Sequence, residues 1–359
     1  MTPVRSSSPV FIVGTERSGS NLLRLVLDSH PNIAVPHPPH FMRYLAPLAA
    51  SYGDLAVAAN RRALAEDALL LLRRHIHPWP RPVDADRVVA TASPSVFGVV
   101  SAIYEQHRIS TGKARWGCKS TFMVDHVDDV LREYPDAKFV WLVREPRDVA
   151  ASAKRSVFGH CDPYLMARLW AAQQRRGLAA LRRHGPDVVR LLRYEDLVRR
   201  PREEITALCD FLGERADPAM FEHHRSTAAR QTAHLSESWR KTAEPISARH
   251  VGAYRGNLSR HELLLVDKVT ADLKERFGYP VDPDAERTAT PLLAVRAARS
   301  AVLRCAVEFR SLRKDRNYTR RLARDLTVRR LRLKAGLRRR RPAAGRLAAP
   351  TDTARTESP

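Results

Sequence analysis

The chain reads as an α/β protein, a parallel sheet flanked by helices, with a C-terminal Arg-rich helical extension. Three observations predict this. The apolar run Val10 to Val13 passes through Gly14 and Gly19 into a helical pattern that starts at Ser20. The run Lys138-Phe-Val-Trp-Leu-Val143 is apolar at every position after Lys138, as a strand covered on both faces must be. Short apolar runs then alternate with helix-length periodic segments, the pattern of a parallel sheet whose ligands bind at the carboxyl ends of its strands.

The elements follow in order. Leu22, Leu23, Leu25, Val26 and Leu27 give the first helix an apolar face for the sheet, and Asp28-Ser-His-Pro31 stops it. Ile33 to Val35 is a short strand, and Pro36 to Phe41 is a rigid bend carrying His37 and His40. A helix rich in Ala and Leu covers about 54 to 75, and a loop covers 80 to 86. Ser93-Pro94 starts a helix running to about His107, with Ser as N-cap and Pro in the first turn. Arg115 to Cys118 is a strand delivering Lys119, and a helix spans about Phe122 to Tyr134. After the apolar strand comes Arg144-Glu-Pro-Arg147, with Pro146 opening a helix to about Arg155. A helix at about 163 to 184, a strand at 188 to 192 and a helix from Pro201 to Gly213 follow. Residues 214 to 259 are loop-rich, and His261 to Phe277 is an amphipathic helix.

The boundaries expected are a domain over 1–280, a linker over 281–291, a basic helical extension over 292–341 and a disordered tail over 342–359. Of the formal net charge of +23, about +15 falls after residue 285, where 21 Lys/Arg stand against 6 Asp/Glu. The four cysteines, Cys118, Cys161, Cys209 and Cys305, show no metal-ligand spacing and are expected as free thiols. The first apolar run is too short for a signal peptide or a membrane span, so a cytoplasmic protein is expected.

The spacing Gly14-x4-Gly19 is that of a loop that holds a nucleotide phosphate at a helix N-terminus. Ser20-Asn21 stands where a nucleoside triphosphatase has Lys-Ser/Thr, so the tools for the terminal phosphate and for Mg²⁺ are missing. Arg17 supplies a cation inside the loop instead.

Taken with Asp28-Ser-His-Pro31, Lys138 to Asp148 and Arg193-Tyr-Glu-Asp-Leu197, the segment Phe11 to Arg24 resembles the sulfotransferases that use 3′-phosphoadenosine 5′-phosphosulfate (PAPS). The resemblance is strongest to tyrosylprotein-sulfotransferase-like enzymes and their bacterial relatives, and it covers about residues 9 to 280. It implies a P-loop NTPase-like sulfotransferase fold. It also implies that Arg17, Ser18, Gly19, Ser20 and Asn21 bind the phosphosulfate, and that Arg144 and Ser152 bind the 3′-phosphate. A further family Arg falls on Ser156, with Arg155 or Lys154 as substitutes. Ser238 matches a phosphate-contacting Ser, and Arg255 stands two residues from a family Lys position occupied here by Ala253.

Arg17 and Lys119 are the candidates for stabilising charge on the departing phosphate, and no metal is required, because a sulfuryl group carries less charge than a phosphoryl group. Pro36-His37-Pro38 replaces a Gly-Glu-Glu segment of the tyrosylprotein enzymes, with Pro38 at the catalytic Glu. The general base therefore falls to His40 first and His37 second, and the acceptor expected is a carbohydrate, glycolipid or small molecule rather than a tyrosine peptide. Two other classes are a small-molecule kinase, which lacks its Lys and Mg²⁺ ligand here, and a non-catalytic nucleotide- or nucleic-acid-binding protein. For the Arg-rich region 292–341 the expectation is peripheral contact with an anionic membrane; nucleic acid is disfavoured by the scarcity of aromatics there.

Overall fold

The computed structural model describes residues 8–340, apart from the side chains of 339 and 340; the expected disordered tail lies outside them. Five parallel strands, β1 (Val10–Gly14), β2 (Ile33–Ala34), β3 (Arg115–Lys119), β4 (Lys138–Val143) and β5 (Val189–Arg193), form one sheet in the order β2-β3-β1-β4-β5. β1 is central, with Ile12 opposite Lys119 and Gly14 opposite Leu142. The segments that follow β1, β3 and β4 therefore emerge at one edge of the sheet.

Side-chain alternation divides the core into two layers. Phe11, Val13, Phe139, Trp141 and Val143 face one helical layer, and Val10, Ile12, Val140 and Leu142 face the other. The helices are α1 (Ser20–Asp28), α2 (Phe41–Leu45), α3 (Ala58–Arg73), α4 (Ala85–Thr91), α5 (Val96–Thr111), α6 (Val127–Glu133), α7 (Pro146–Lys154), α8 (Pro163–His184), α9 (Tyr194–Arg199), α10 (Pro201–Leu212), α11 (Pro218–Phe221), α12 (Thr227–Leu235), α13 (Arg260–Arg276), α14 (Leu293–Lys314) and α15 (Tyr318–Arg340).

Several boundaries differ from those expected. The N-cap of α5 is Ser95, whose Oγ accepts from the Gly98 amide, while Ser93 donates to Glu133 at 2.8 Å. Asp84 caps α4 and so ends the expected loop early. The helix expected over 122–134 is a 3-10 turn, Thr121–Asp125, followed by the shorter α6. Within 214–259, Ser226 caps α12, which the pattern did not announce.

The Arg-rich extension forms the two long helices α14 and α15, but it does not hang off the domain. Val328, Leu331 and Ala335 of α15 enter the main core, and Lys334 pairs with the buried Asp67 at 3.0 Å. Arg296 of α14 reaches Asp162 at 3.4 Å, and Arg299 reaches Glu262 at 2.8 Å. The expected linker is held down too, since Lys268 Nζ donates to the Glu286 and Thr288 carbonyls and Ala285 is buried. Apolar burial and ion pairing thus join 281–338 to the body. The four cysteines are free thiols.

Candidate functional site

β1 hands the chain to α1 through a loop that only particular residues tolerate. Gly14 has φ of 137°, and a Cβ there would lie 2.3 Å from the Leu142 carbonyl oxygen. Arg17 takes the left-handed conformation at φ 72°, uncommon for a residue with a side chain and worth about 1–3 kcal/mol of strain. Gly19 precedes α1 at φ 95° against the ring of Tyr194, which leaves no room for a Cβ. No side chain caps α1 and its first turn has no carboxylate, so its amides and positive dipole end are left to an anion. Gln174 braces the loop from α8, donating to Thr15 at 2.9 Å while accepting from Trp141 at 2.6 Å.

This loop opens into a cavity of about 1000 Å³ at the carboxyl edge of the sheet. Arg17, Gly19, Ser20, Asn21, His37, His40, Lys119, Arg144, Ser152 and Ser238 all line it. Residues far apart in the chain are thereby brought together as the sequence predicted. Two expected members are not in the lining: Ser18 is buried beneath the loop, and Arg255 is exposed, with its guanidinium over the Tyr254 ring at 5.0 Å. The short 3-10 turn Ala253–Gly256 faces Arg255 away. Lys154 is likewise drawn off, to Glu262 at 2.8 Å, whereas Arg155 lines the cavity. Ser156 is buried with its Oγ 3.3 Å from that of Ser238.

Arg17 Nε donates to Ser152 at 3.1 Å. Arg144 donates to the Arg17 carbonyl at 3.3 Å and the His250 carbonyl at 3.0 Å, and its guanidinium lies 4.3 Å from the centre of the Tyr194 ring. Its buried Nε has no partner among the described residues, so it has a donor to spare. Lys119 Nζ forms no hydrogen bond or ion pair among the described residues. Burial, aided by the charge of Arg24, lowers its pKa to about 8. Burial and the neighbouring Arg144 lower that of Arg17 to about 10. An anion entering here meets cations that are already desolvated, which strengthens each contact.

The two histidines are not equivalent. His40 Nδ1 sits 2.9 Å from Ser120 Oγ, leaving Nε2 for a ligand, and the ring stands edge-on to Phe122 at 5.6 Å. His37 is buried among His75, His77 and Trp239 with both ring nitrogens unpaired. Burial pushes both well below the ordinary histidine pKa, with Lys119 and Arg43 adding to the effect at His40. A neutral imidazole whose Nε2 is unprotonated can take a proton from a hydroxyl, and a Ser120 Oγ that accepts from Nδ1 of His40 is compatible with that tautomer.

Three contributors escaped the sequence reading. Asp148 accepts from the Gly252 and Tyr254 amides at 2.8 and 2.9 Å and so fastens the segment that covers the cavity. Tyr194 underlies both Gly19 and Arg144. Glu16 faces the cavity 3.7 Å from Arg43. All three lie within motifs already singled out, Glu16 in Phe11 to Arg24, Asp148 at the end of Lys138 to Asp148 and Tyr194 in Arg193 to Leu197, and that membership was their only signal. Glu195, by contrast, is structural, accepting from the Glu145 amide at 3.0 Å and from Tyr279 at 2.7 Å.

The arrangement can hold two anionic groups and present a neutral base. The model of the sulfotransferase family matches residues 9–218. Nodulation protein NoeE of Sinorhizobium fredii is 29% identical over 75% of this chain and 65% of its own length. An uncharacterized protein of Aquifex aeolicus is 24% identical over 79% of this chain and 34% of its own. The chain thus spans less than two thirds of each of these relatives. The fold is that of the sulfotransferase domain of the Synechococcus PCC 7002 olefin synthase (TM-score 0.54, 22% identity, 79% of this chain and 98% of that one). It is also that of the sulfotransferase domain from the curacin biosynthetic pathway (TM-score 0.52, 19% identity, 78% of this chain and 100% of that one). With more than half of its length matched by the family's model, the chain belongs to the sulfotransferase family.

Proposed function

We propose that the protein transfers a sulfuryl group from PAPS to a hydroxyl or amine of a carbohydrate, glycolipid or small-molecule acceptor, in line and without a metal. The observation that carries this reading is the convergence of Arg17, Lys119, Arg144 and Ser152 around the uncapped start of α1, in one cavity with His40. The residues present fit the donor's two anionic groups. Gly19, Ser20, Asn21 and Arg17 suit the phosphosulfate, while Arg144, with its unused Nε, and Ser152 suit the 3′-phosphate. PAPS, when bound, supplies the sulfuryl group.

In this reading His40 Nε2 takes the acceptor proton, which contributes about 10²–10⁴-fold to the rate. Arg17 and Lys119 stabilise the negative charge left on the departing phosphate. Ser20-Asn21 supports a reaction of this kind over phosphoryl transfer from ATP, because neither residue replaces the Lys and Mg²⁺ ligand that such a transfer uses. The test is transfer from ³⁵S-labelled PAPS into extract fractions of the source organism. Label in a product, reduced by about 10²-fold or more in Arg17→Ala, supports the proposal; no labelled product in any fraction overturns it.

A location follows from the same extension. α14 keeps Val295, Val302, Phe309 and Leu312 exposed at helical spacing, and α15 keeps Leu322, Leu326, Leu333 and Leu337 exposed, among many Arg and Lys residues. Apolar side chains set among cations complement an anionic lipid surface, so peripheral contact with such a membrane is part of the proposal. Among the described residues no helix is long and apolar enough to cross a membrane.

A further inference from the structure

The C-terminal helices contribute to the lining of the cavity. Arg304 and Arg310 of α14 and Arg324, Arg329 and Arg332 of α15 line it. Arg324, Val328 and Arg332 recur at four-residue steps and so share one face of the helix. Val328 is at once buried in the core and part of the lining, which fixes where that face points.

The ion pairs of the extension are distributed unevenly. Arg296, Arg299, Arg321 and Lys334 have carboxylate partners that dock the helices onto the body or onto each other. Among the described residues Arg310 pairs with Glu237, and Arg324 pairs only with its neighbour Asp325. Arg329 and Arg332 are exposed and have no hydrogen-bond or ion-pair partner among the described residues. The cations that dock the helices are neutralised, and those at the cavity wall largely are not.

The cavity as a whole has a surplus of the same sign. Thirteen Lys/Arg side chains line it against five Asp/Glu, a surplus of eight positive charges. The anionic groups of the donor carry roughly four negative charges at neutral pH, by the usual phosphate ionisation. About half of the surplus has no counterpart in the donor; α14 and α15 supply five of the thirteen cations and one of the five carboxylates, a surplus of four, and Arg324 acts with Arg43 on His40. Tyr44 and Phe122 complete the wall with apolar surface beside that base.

We infer that α15 is the acceptor-recognition element, and that the acceptor is itself an anion whose phosphate, sulfate or carboxylate group is held by Arg324, Arg329 and Arg332 while its hydroxyl faces His40. The inference rests on the donor reading above, and the experiment separates the two. Adenosine 3′,5′-bisphosphate is first titrated into the full chain by calorimetry. Tripolyphosphate is then titrated into the protein saturated with that nucleotide. Tripolyphosphate should bind the nucleotide complex at one site. Its affinity should fall tenfold or more in Arg329→Gln/Arg332→Gln, with nucleotide affinity unchanged within about twofold, and stay unaltered in Arg287→Glu/Arg316→Glu, two exposed cations outside the lining. Extract separated by anion exchange should accept ³⁵S from PAPS only in the retained pool, whether the acceptor is then found in the aqueous or the chloroform phase. Tripolyphosphate that fails to bind the nucleotide complex, binding equal in the two double variants, or label confined to the unretained pool would each overturn the inference while leaving the donor reading intact. A protein that fails to bind the nucleotide overturns the donor reading itself.

Discussion

Lys119 and His40 place opposite demands on pH, and burial sets both. In the proposed reaction Lys119 acts as a cation; it lies among Arg24, Arg17, Glu16 and Cys118, with a pKa lowered to about 8. In the same proposal His40 acts as a neutral base; its pKa is held well below 6.5 by burial and by the charges of Lys119, Arg43, His75 and Arg324. The sign follows for each. As pH rises through about 8, Lys119 in the free enzyme loses the proton that gives it its role, so kcat/KM falls. As pH falls toward 6.5, His40 is still neutral, so the acid limb lies below that value. Lys119→Arg should move the alkaline limb upward because a guanidinium keeps its proton. A pH profile of kcat/KM for the two proteins reads this directly. An acid limb centred at or above pH 6.5 would contradict the role given to His40. The sequence ranks His40 before His37, but the surroundings that distinguish the two lie outside the bend Pro36 to Phe41: Ser120, eighty residues on, meets His40, and Trp239 packs against His37.

At the scale of elements, β1 and β4 were the most legible strands because their apolar residues are contiguous and both their faces are buried. β1 and β4 carry no polar residue between Val10 and Val13 or between Phe139 and Val143. The docking of α15 was not legible. Its buried apolar residues, among those described, are Val328, Leu331 and Ala335 amid many arginines, and its polar anchor, Asp67, sits on α3. A helix so basic reads as solvated until the body it packs against is known. Leu331 is 4% exposed, so Leu331→Ala deletes core contacts and should cost about 2–5 kcal/mol, read as a lower urea midpoint at unchanged slope. An unchanged midpoint would mean that α15 does not contribute to the folded core. Asp148 has the complementary role, holding the covering segment by two amide hydrogen bonds.

The whole molecule combines a sheet-edge cavity with a C-terminal pair of helices that close one side of it. That pairing explains the distribution of charge: about +15 of the total +23 lies after residue 285, and part of it faces the cavity while part faces outward. The outward part, with the exposed Val302 and Phe309, predicts flotation with vesicles rich in phosphatidylglycerol but not with phosphatidylcholine alone. Val302→Asp/Phe309→Asp should abolish that flotation, and a variant that floats as well as the parent would remove membrane contact from the account. The central claim is that this cavity binds the sulfuryl donor through the α1 loop and Arg144 without a metal. Calorimetric titration of adenosine 3′,5′-bisphosphate in the presence of EDTA tests it most directly. The account predicts one site per chain, weakened about tenfold or more in Arg144→Ala by loss of charge-assisted hydrogen bonds. Absence of binding in EDTA, or equal affinity in Arg144→Ala, would contradict it.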